Sequence, residues 1–296
     1  MLEAKLLGPG DLTLSIGSAF IENDDAQAAA AAGHRSAEAI KQDCELKAFS
    51  RMAGPLKQDF PQLQLCLAVD ALYACGRFFQ ECRDKQWSFV VTFKPKDLPV
   101  AWGEFQRLLP LCPHNVLERQ AAEGVRQVYR WVPQVGYTDA EQREWSFNAL
   151  QLEEAVGDRT TRFAWLTPLH VSAQTVEDIA TKGGRPRWKI ENQGFNRQKN
   201  SGLNLQHLYS TDPDKAKAYY YLLQIAFILL QLLEQGSLLR RLATEWGQTP
   251  WQWLGGLMNV AWLLLESLRR DAWRASWFEK EKGGRVRVSF QPFDSS

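Results

Sequence analysis

Two carboxylates fall where the surrounding pattern gives them chemical meaning. Asp70 closes the apolar run 64–69 (QLCLAV). An acid at the C-terminal end of a buried strand lies where open α/β sheets place their ligands, and a hard divalent cation takes charged oxygen ligands there. The plainer alternative is that Asp70 caps a helix starting at Ala71. Glu191 is the single acid between Lys182 and Lys199, among six basic residues: Lys182, Arg185, Arg187, Lys189, Arg197 and Lys199. On a helix, Arg187 lies one turn before Glu191 and Gln198 two turns after it, so all three share a face. Trp188 and Phe195 then anchor a neighbouring face. A lone carboxylate in a basic, aromatic-laced segment suits a metal ligand flanked by phosphate-backbone contacts from Arg185, Arg187, Lys189, Arg197 and Lys199. The plainer alternative is a solvated amphipathic helix with an Arg187–Glu191 ion pair of little energetic weight.

The elements that position these residues are legible in outline. Residues 2–7 (LEAKLL) and 12–22 (LTLSIGSAFIE) read as two strands, and Gly8-Pro9-Gly10-Asp11 between them predicts an antiparallel hairpin. Residues 34–60 read as a helix with a break or kink at Gly54-Pro55. Residues 64–69 read as a buried parallel strand, 71–84 as a helix, and 87–93 (WSFVVTF) as a further strand, together one βαβ unit. Residues 102–111 read as a short helix. Between 125 and 169 the segments VRQVYRWV, EWSFNALQLEE and TRFAWLTPL alternate like strands, so a β-rich insertion is expected. Residues 172–181 and 186–199 read as two helices separated by Gly183-Gly184, with Pro186 as a first helical residue. From Leu222 to about Arg270 the chain is helical and apolar.

Composition narrows the field. The 296 residues are 45% hydrophobic and 23% charged, which excludes disorder over the whole length. The net charge of +1 excludes a uniformly basic coat but not a local basic surface. The five cysteines, Cys44, Cys66, Cys75, Cys82 and Cys112, make no CxxC pair, and none joins a histidine at zinc-finger spacing. Reduced cysteines in a cytosolic protein are the reading. The N-terminus has no signal-peptide pattern. The uncharged run 218–233 (AYYYLLQIAFILLQLL) falls short of the ~20 residues of a bilayer span and carries Gln224 and Gln231, so a buried core helix is expected, with no membrane partner.

In this order of elements, the segments LCLAVDALYA, GGRPRWKIENQGFN and QKNSGLNLQHLYS, with the hairpin, KQDCELKAF and the apolar helix YYYLLQIAFILLQLL, resemble the catalytic domain of DDE-type insertion-sequence transposases over nearly the whole chain. The resemblance implies an α/β (α+β) fold. This is an RNase H-like mixed sheet with flanking helices, a β-rich insertion and a C-terminal helical region. It divides the chain into a first core part (1–100), the insertion (101–171), the catalytic helix segment (172–210) and the helical region (211–296). It implies metal-dependent DNA strand cleavage and transfer, with Asp70 and Glu191 as the second and third catalytic carboxylates. Both would ligate Mg²⁺, with Mn²⁺ as a substitute. Arg187 matches the family's helix arginine. The signature Tyr falls at Gly184, and the Lys seven residues past the Glu falls at Gln198, beside Lys199. The implied partners are double-stranded DNA at transposon ends and a second copy in a synaptic complex. The implied location is the prokaryotic cytoplasm, with the nucleoid.

The family's first Asp belongs to a core strand preceding the hairpin. Asp11 lies in the turn, and Asp24 and Asp25 follow the second hairpin strand, so none takes that position. The chain therefore reads as an N-terminally truncated transposase, or a frame started at an internal Met, with the first core strand missing and no activity of its own. The alternative is a non-catalytic DNA-binding remnant that modulates a full-length relative.

Overall fold

A computed structural model describes residues 1–21, 37–121, 124–200, 202–207, 209–270, 278–280 and 286–288. Asp24, Asp25, His34 and the end of the second expected strand lie outside these. The chain forms two compact units, Met1–Arg197 and Gln198–Ser296.

The first unit opens with the hairpin. Strands β1 (Leu2–Leu7) and β2 (Thr13–Ala19) pair antiparallel, with Leu2 opposite Ala19 and Leu7 opposite Thr13. Helix α1 (Ala37–Asp59) follows, then β3 (Cys66–Val69), a single helical turn at Ala71–Tyr73, α2 (Gly76–Asp84) and β4 (Ser88–Thr92). Strands β3 and β4 are parallel, with Cys66 beside Ser88 and Val69 beside Val91. Helix α3 (Pro99–Leu108) leads to four antiparallel strands, β5 (Val116–Gln120), β6 (Arg126–Thr138), β7 (Glu144–Val156) and β8 (Arg159–Thr167). The β-rich insertion is thus present. Its first strand, VLERQ, is absent from the pattern reading because its alternation is weak. Strand β8 returns to β4 antiparallel, giving one mixed six-stranded sheet of order β3-β4-β8-β7-β6-β5. The hairpin is a separate two-stranded sheet.

Strand alternation sorts the side chains into two cores. Phe89 and Val91 of β4 pack on one face with Phe49 and Met52 of α1 and Phe78 and Phe79 of α2. Val90, between them, faces the other way and joins Tyr129, Leu152, Trp165, Val176 and Ala180. The hairpin contributes Leu2, Ala4, Ile16 and Ala19 to the first core, so α1 covers both the hairpin and the β3–β4 end of the large sheet.

Two expectations need correction. Helix α1 runs unbroken through Gly54-Pro55. Pro55 removes one donor from the helical ladder, but Phe49, Met52, Ala53 and Leu56 on both sides of it are buried in one core and keep the helix from breaking there. Strand β3 is parallel as expected but is not a buried interior strand. It ends the sheet, with Cys66 exposed and Leu67, Ala68 and Val69 half-buried.

An acid-turn cluster fixes the α2 end of the first core. Asp139, with its side chain 1% exposed, accepts from the Arg143 backbone N–H (2.8 Å), Arg143 Nε (2.7 Å) and Trp145 Nε1 (2.9 Å). Removal from water raises the Asp139 pKa, but the Trp145 indole N–H and the Arg143 backbone and guanidinium outweigh it and hold it at about 2. Gly76 lets the helix approach so closely that a Cβ there would meet Asp139 Oδ2 at 2.1 Å.

In the second unit, α5 (Pro213–Gln235) starts earlier than the apolar run. Asp212 caps it, accepting from the N–H groups of Asp214 (3.0 Å) and Lys215 (3.3 Å), and Pro213 fits its first position. Helices α6 (Ser237–Glu245), α7 (Pro250–Leu254) and α8 (Leu257–Arg270) follow. Helix α5 is long and apolar enough to cross a membrane by length and composition alone. It is only half a core helix: Tyr220, Leu223, Gln224, Phe227, Leu230 and Gln231 are buried, whereas Leu222, Ile225, Leu229 and Leu232 on the other face are exposed. The run is apolar all round, and the described residues cover one side of it.

Candidate carboxylate site

Asp70 sits where its sequence context places it, directly after β3. Its backbone is extended and its Oδ1 accepts from the Leu72 N–H at 3.0 Å, so it does cap the turn Ala71–Tyr73. The other carboxylate oxygen has no hydrogen-bond partner among the described residues. Asp70 is exposed. The next buried group, the Tyr73 hydroxyl, is pushed well above the ordinary tyrosine range by burial, with the charges of Glu45 and Asp70 adding to the shift. Glu45 of α1 also acts on the Met1 amino group, which begins β1. The start of β1 and the turn that follows β3 therefore lie within electrostatic reach of one α1 side chain.

Glu191 belongs to a single helical run, α4 (residues 176–196), and not to the second of two separate helices. The run is assembled from Val176–Asp178, Ile179–Gly184, Arg185–Arg187 and Ile190–Asn196, with wide π-type turns in the second and last pieces. Gly183 and Gly184 do not interrupt it; they seat it. A Cβ on Gly183 would lie 2.8 Å from Val90 Cγ2 in β4, and one on Gly184 would lie 2.3 Å from the Trp165 ring in β8. Position 184, where the resemblance would put a tyrosine, has no room for any side chain. The pieces at 179–184 and 185–187 also pack on β3.

The far end of the run rests on the hairpin. Gly194 lies over the Lys5 stem, where a Cβ would meet Lys5 Cε at 2.9 Å, and the Lys5 ammonium sits 5.3 Å from the centre of the Phe195 ring. Lys5 pairs with Glu3 at 3.0 Å, both side chains fully buried, and Ser15 Oγ donates to Glu3. Lys189 Nζ donates to the carbonyl of Gly10 in the hairpin turn at 2.6 Å. Glu191 thus lies on the stretch that passes from the six-stranded sheet to the hairpin, on the face opposite α1. This Glu3–Lys5–Ser15 anchor is not visible in the sequence, where alternation marks both charges as solvent-facing.

The basic segment is largely engaged within the protein. Arg187 Nη1 pairs with Glu191 Oε1 at 2.9 Å, as the helical spacing predicts. Arg185 reaches Glu154 on β7 (3.2 Å) and covers the Phe163 ring (4.2 Å). Lys182 pairs with Asp178 at 2.8 Å. Arg197 and Lys199 are half-buried. Gln198 is not on the Glu191 face: it is fully buried in the second unit, exchanging two hydrogen bonds with Gln224 (2.7 and 3.1 Å). The π-type turns at 190–196 carry more residues per turn than an α-helix, so the 3.6-residue spacing that aligned Gln198 with Glu191 fails. Trp188 is 45% exposed, so it is no buried anchor, whereas Phe195 packs against Lys5.

The donor chemistry suits a magnesium ion, which takes hard oxygen ligands, usually one or two carboxylates with the remaining positions left to water or substrate phosphate. Asp70 and Glu191 each commit one oxygen to a protein partner and keep one uncommitted among the described residues. No group of three potential metal-ligating side chains is assembled among the described residues. Compared with protein-family models and with curated proteins, the chain matches none.

Proposed function

We propose that this chain is part of an RNase H-like catalytic core of the DDE transposase type, with Asp70 and Glu191 as two of its metal-holding carboxylates and DNA as the substrate. One observation carries the reading. The hairpin and β3 end two sheets that do not pair with each other among the described residues, yet α1 covers both on one face and α4 spans both on the other. We read this as one interrupted sheet, in which the resemblance would put the family's first strand between β1 and β3. Asp70 stands at its edge, and Glu191 lies on the helix that crosses between the two sheets.

In this reading Asp70 and Glu191 would hold Mg²⁺, which when bound activates water or a DNA 3′-hydroxyl for in-line attack on a phosphodiester. Arg187 pairs with the Glu191 carboxylate and offsets part of its charge. The close contacts of Gly183 and Gly184 fix the height of α4 above the sheet. In the family a third carboxylate stands on that first strand, so Asp70 and Glu191 by themselves are not expected to cleave DNA. The alternative is a non-catalytic DNA-binding protein; Arg185 and Lys189, two of its expected phosphate contacts, are bound within the protein.

The test is Mn²⁺ binding followed by paramagnetic broadening of backbone amide signals. Residues 69–73 and 188–193 are expected to broaden together. Asp70→Asn and Glu191→Gln are each expected to weaken binding about tenfold or more. Broadening around only one of the two carboxylates, or affinity unchanged in both variants, would refute the shared site.

A further inference from the structure

A second place on the molecule has the chemistry of a ligand site, and it is distant in sequence from both carboxylates. A groove of about 760 Å³ lies on the α3 side of the large sheet, within the ~300–1,000 Å³ range of small-molecule sites. Its lining includes one register row, with the paired Arg162 and Glu153 of the next row beside it. Arg130 on β6 stands beside Gln151 on β7, Gln151 beside Ala164 on β8, and the Phe93 N–H donates to the Ala164 carbonyl at 2.8 Å. Trp102 of α3 forms a wall, packed edge-on to Phe93 with ring centres 4.9 Å apart, and Lys94 stands at the rim.

The charges in this row are unusual for the sheet. Arginines of the neighbouring rows meet carboxylates: Arg126 pairs with Glu118 at 2.9 Å and Arg162 with Glu153 at 2.8 Å. Arg130 is half-buried and has no ion pair or hydrogen bond among the described residues, and the same holds for the Gln151 amide and the exposed Lys94. A half-buried guanidinium with no ion pair of its own, beside a carboxylate already taken by Arg162, suits a bidentate anion, phosphate above all. An aromatic wall favours a flat ring, and an uncommitted amide beside it both donates to and accepts from a ring edge.

We propose that this groove binds a nucleoside monophosphate unit, with the phosphate on Arg130 and Lys94, the base against Trp102 and Phe93, and Gln151 on the base edge. The unit could be a free mononucleotide or one nucleotide of a single strand, since the chemistry is shared. The proposal rests on this row of side chains and not on the carboxylate site, so it is measured without divalent metal, in the full chain, where failure of the metal site has no bearing.

Calorimetric titration with dAMP, with a five-nucleotide single strand and with inorganic phosphate tests it. At least one nucleotide probe is expected to bind better than phosphate alone, and the tighter of the two identifies the source. Arg130→Gln should weaken that binding at least tenfold. Lys94→Gln should weaken it severalfold, and Arg130→Lys should fall between wild type and Arg130→Gln, because a point charge replaces a fork. Lys94 is exposed, so its variant keeps the test intact should the Arg130 variants fold poorly. Failure of both nucleotide probes to bind below about 5 mM, or affinity unmoved by Lys94→Gln and Arg130→Gln, would overturn the proposal.

Discussion

Gly184→Ala tests most directly how the Glu191 helix is seated. The added methyl would lie 2.3 Å from Cε2 and 2.4 Å from Nε1 of Trp165. Contacting carbons prefer ~3.5–4.0 Å, so the ring or the helix must move by roughly 1 Å or more. Neither yields cheaply. Trp165 is buried, stacked on Phe163 at an angle of 12°, and Gly183 immediately before is pressed against Val90. Overpacking of this kind costs about 1–3 kcal/mol, offset by up to about 1 kcal/mol of improved helix propensity. The net expectation is a loss of about 1–2 kcal/mol, and hence a fall of roughly 2–8 °C in the melting temperature of a unit this size. Urea unfolding followed by circular dichroism reads the loss. Gly103→Ala serves as the opposite control: its Cβ would meet nothing within 4 Å on an exposed helical position, so it should gain about 0.5–1 kcal/mol. In a Trp165→Leu background the cost of Gly184→Ala should shrink below about 0.5 kcal/mol, because the two changes share one space. If Gly184→Ala is as stable as Gly103→Ala, or if its cost is the same with and without the indole, the helix does not rest on Trp165 and the argument for its height is wrong.

Further outcomes follow from other contacts. Asp139 is held at about 2 in the folded chain, below its ordinary value near 3.9. Its stabilising effect is therefore complete above about pH 4 and is lost as the pH falls from there towards 2. The difference in urea midpoint between wild type and Asp139→Asn should be constant from pH 7 to pH 4.5 and shrink below pH 4; a difference that grows on acidification contradicts the assignment. Gln198→Leu leaves the buried Gln224 amide without its partner and should cost about 1–3 kcal/mol, whereas Gln198→Leu with Gln224→Leu should recover most of it. Thermal melts of the three variants decide this, and a double variant worse than the single would contradict it. Incubated alone with supercoiled plasmid and Mg²⁺, the chain should leave the plasmid uncut; nicking abolished by Glu191→Gln would show that two carboxylates suffice.

Much of the scaffold could be read from local pattern, because local pattern has local physical causes. Gly8-Pro9-Gly10-Asp11 can hardly do other than turn the chain, and the alternating runs on either side had only to pair. The β-rich stretch from 125 to 169 was equally plain, and so was the Arg187–Glu191 pair, which needs only helical spacing. The charged residues of β1 were not legible. Alternation marks Glu3 and Lys5 as the wet side of a hairpin, yet both are buried, Lys5 beneath α4, almost 190 residues later, and Glu3 paired with it. Gly183-Gly184 looked like punctuation for the same reason. A glycine pair ends a helix when water surrounds it and seats a helix when a tryptophan and a valine wait beneath. The position of Gln198 failed on geometry: π-type turns add residues without adding a turn, so a face counted in steps of 3.6 drifts away. The residue types and the order of the elements were thus determined by the sequence itself. Which faces meet was decided only by the tertiary structure, because burial depends on what the rest of the chain brings to each surface.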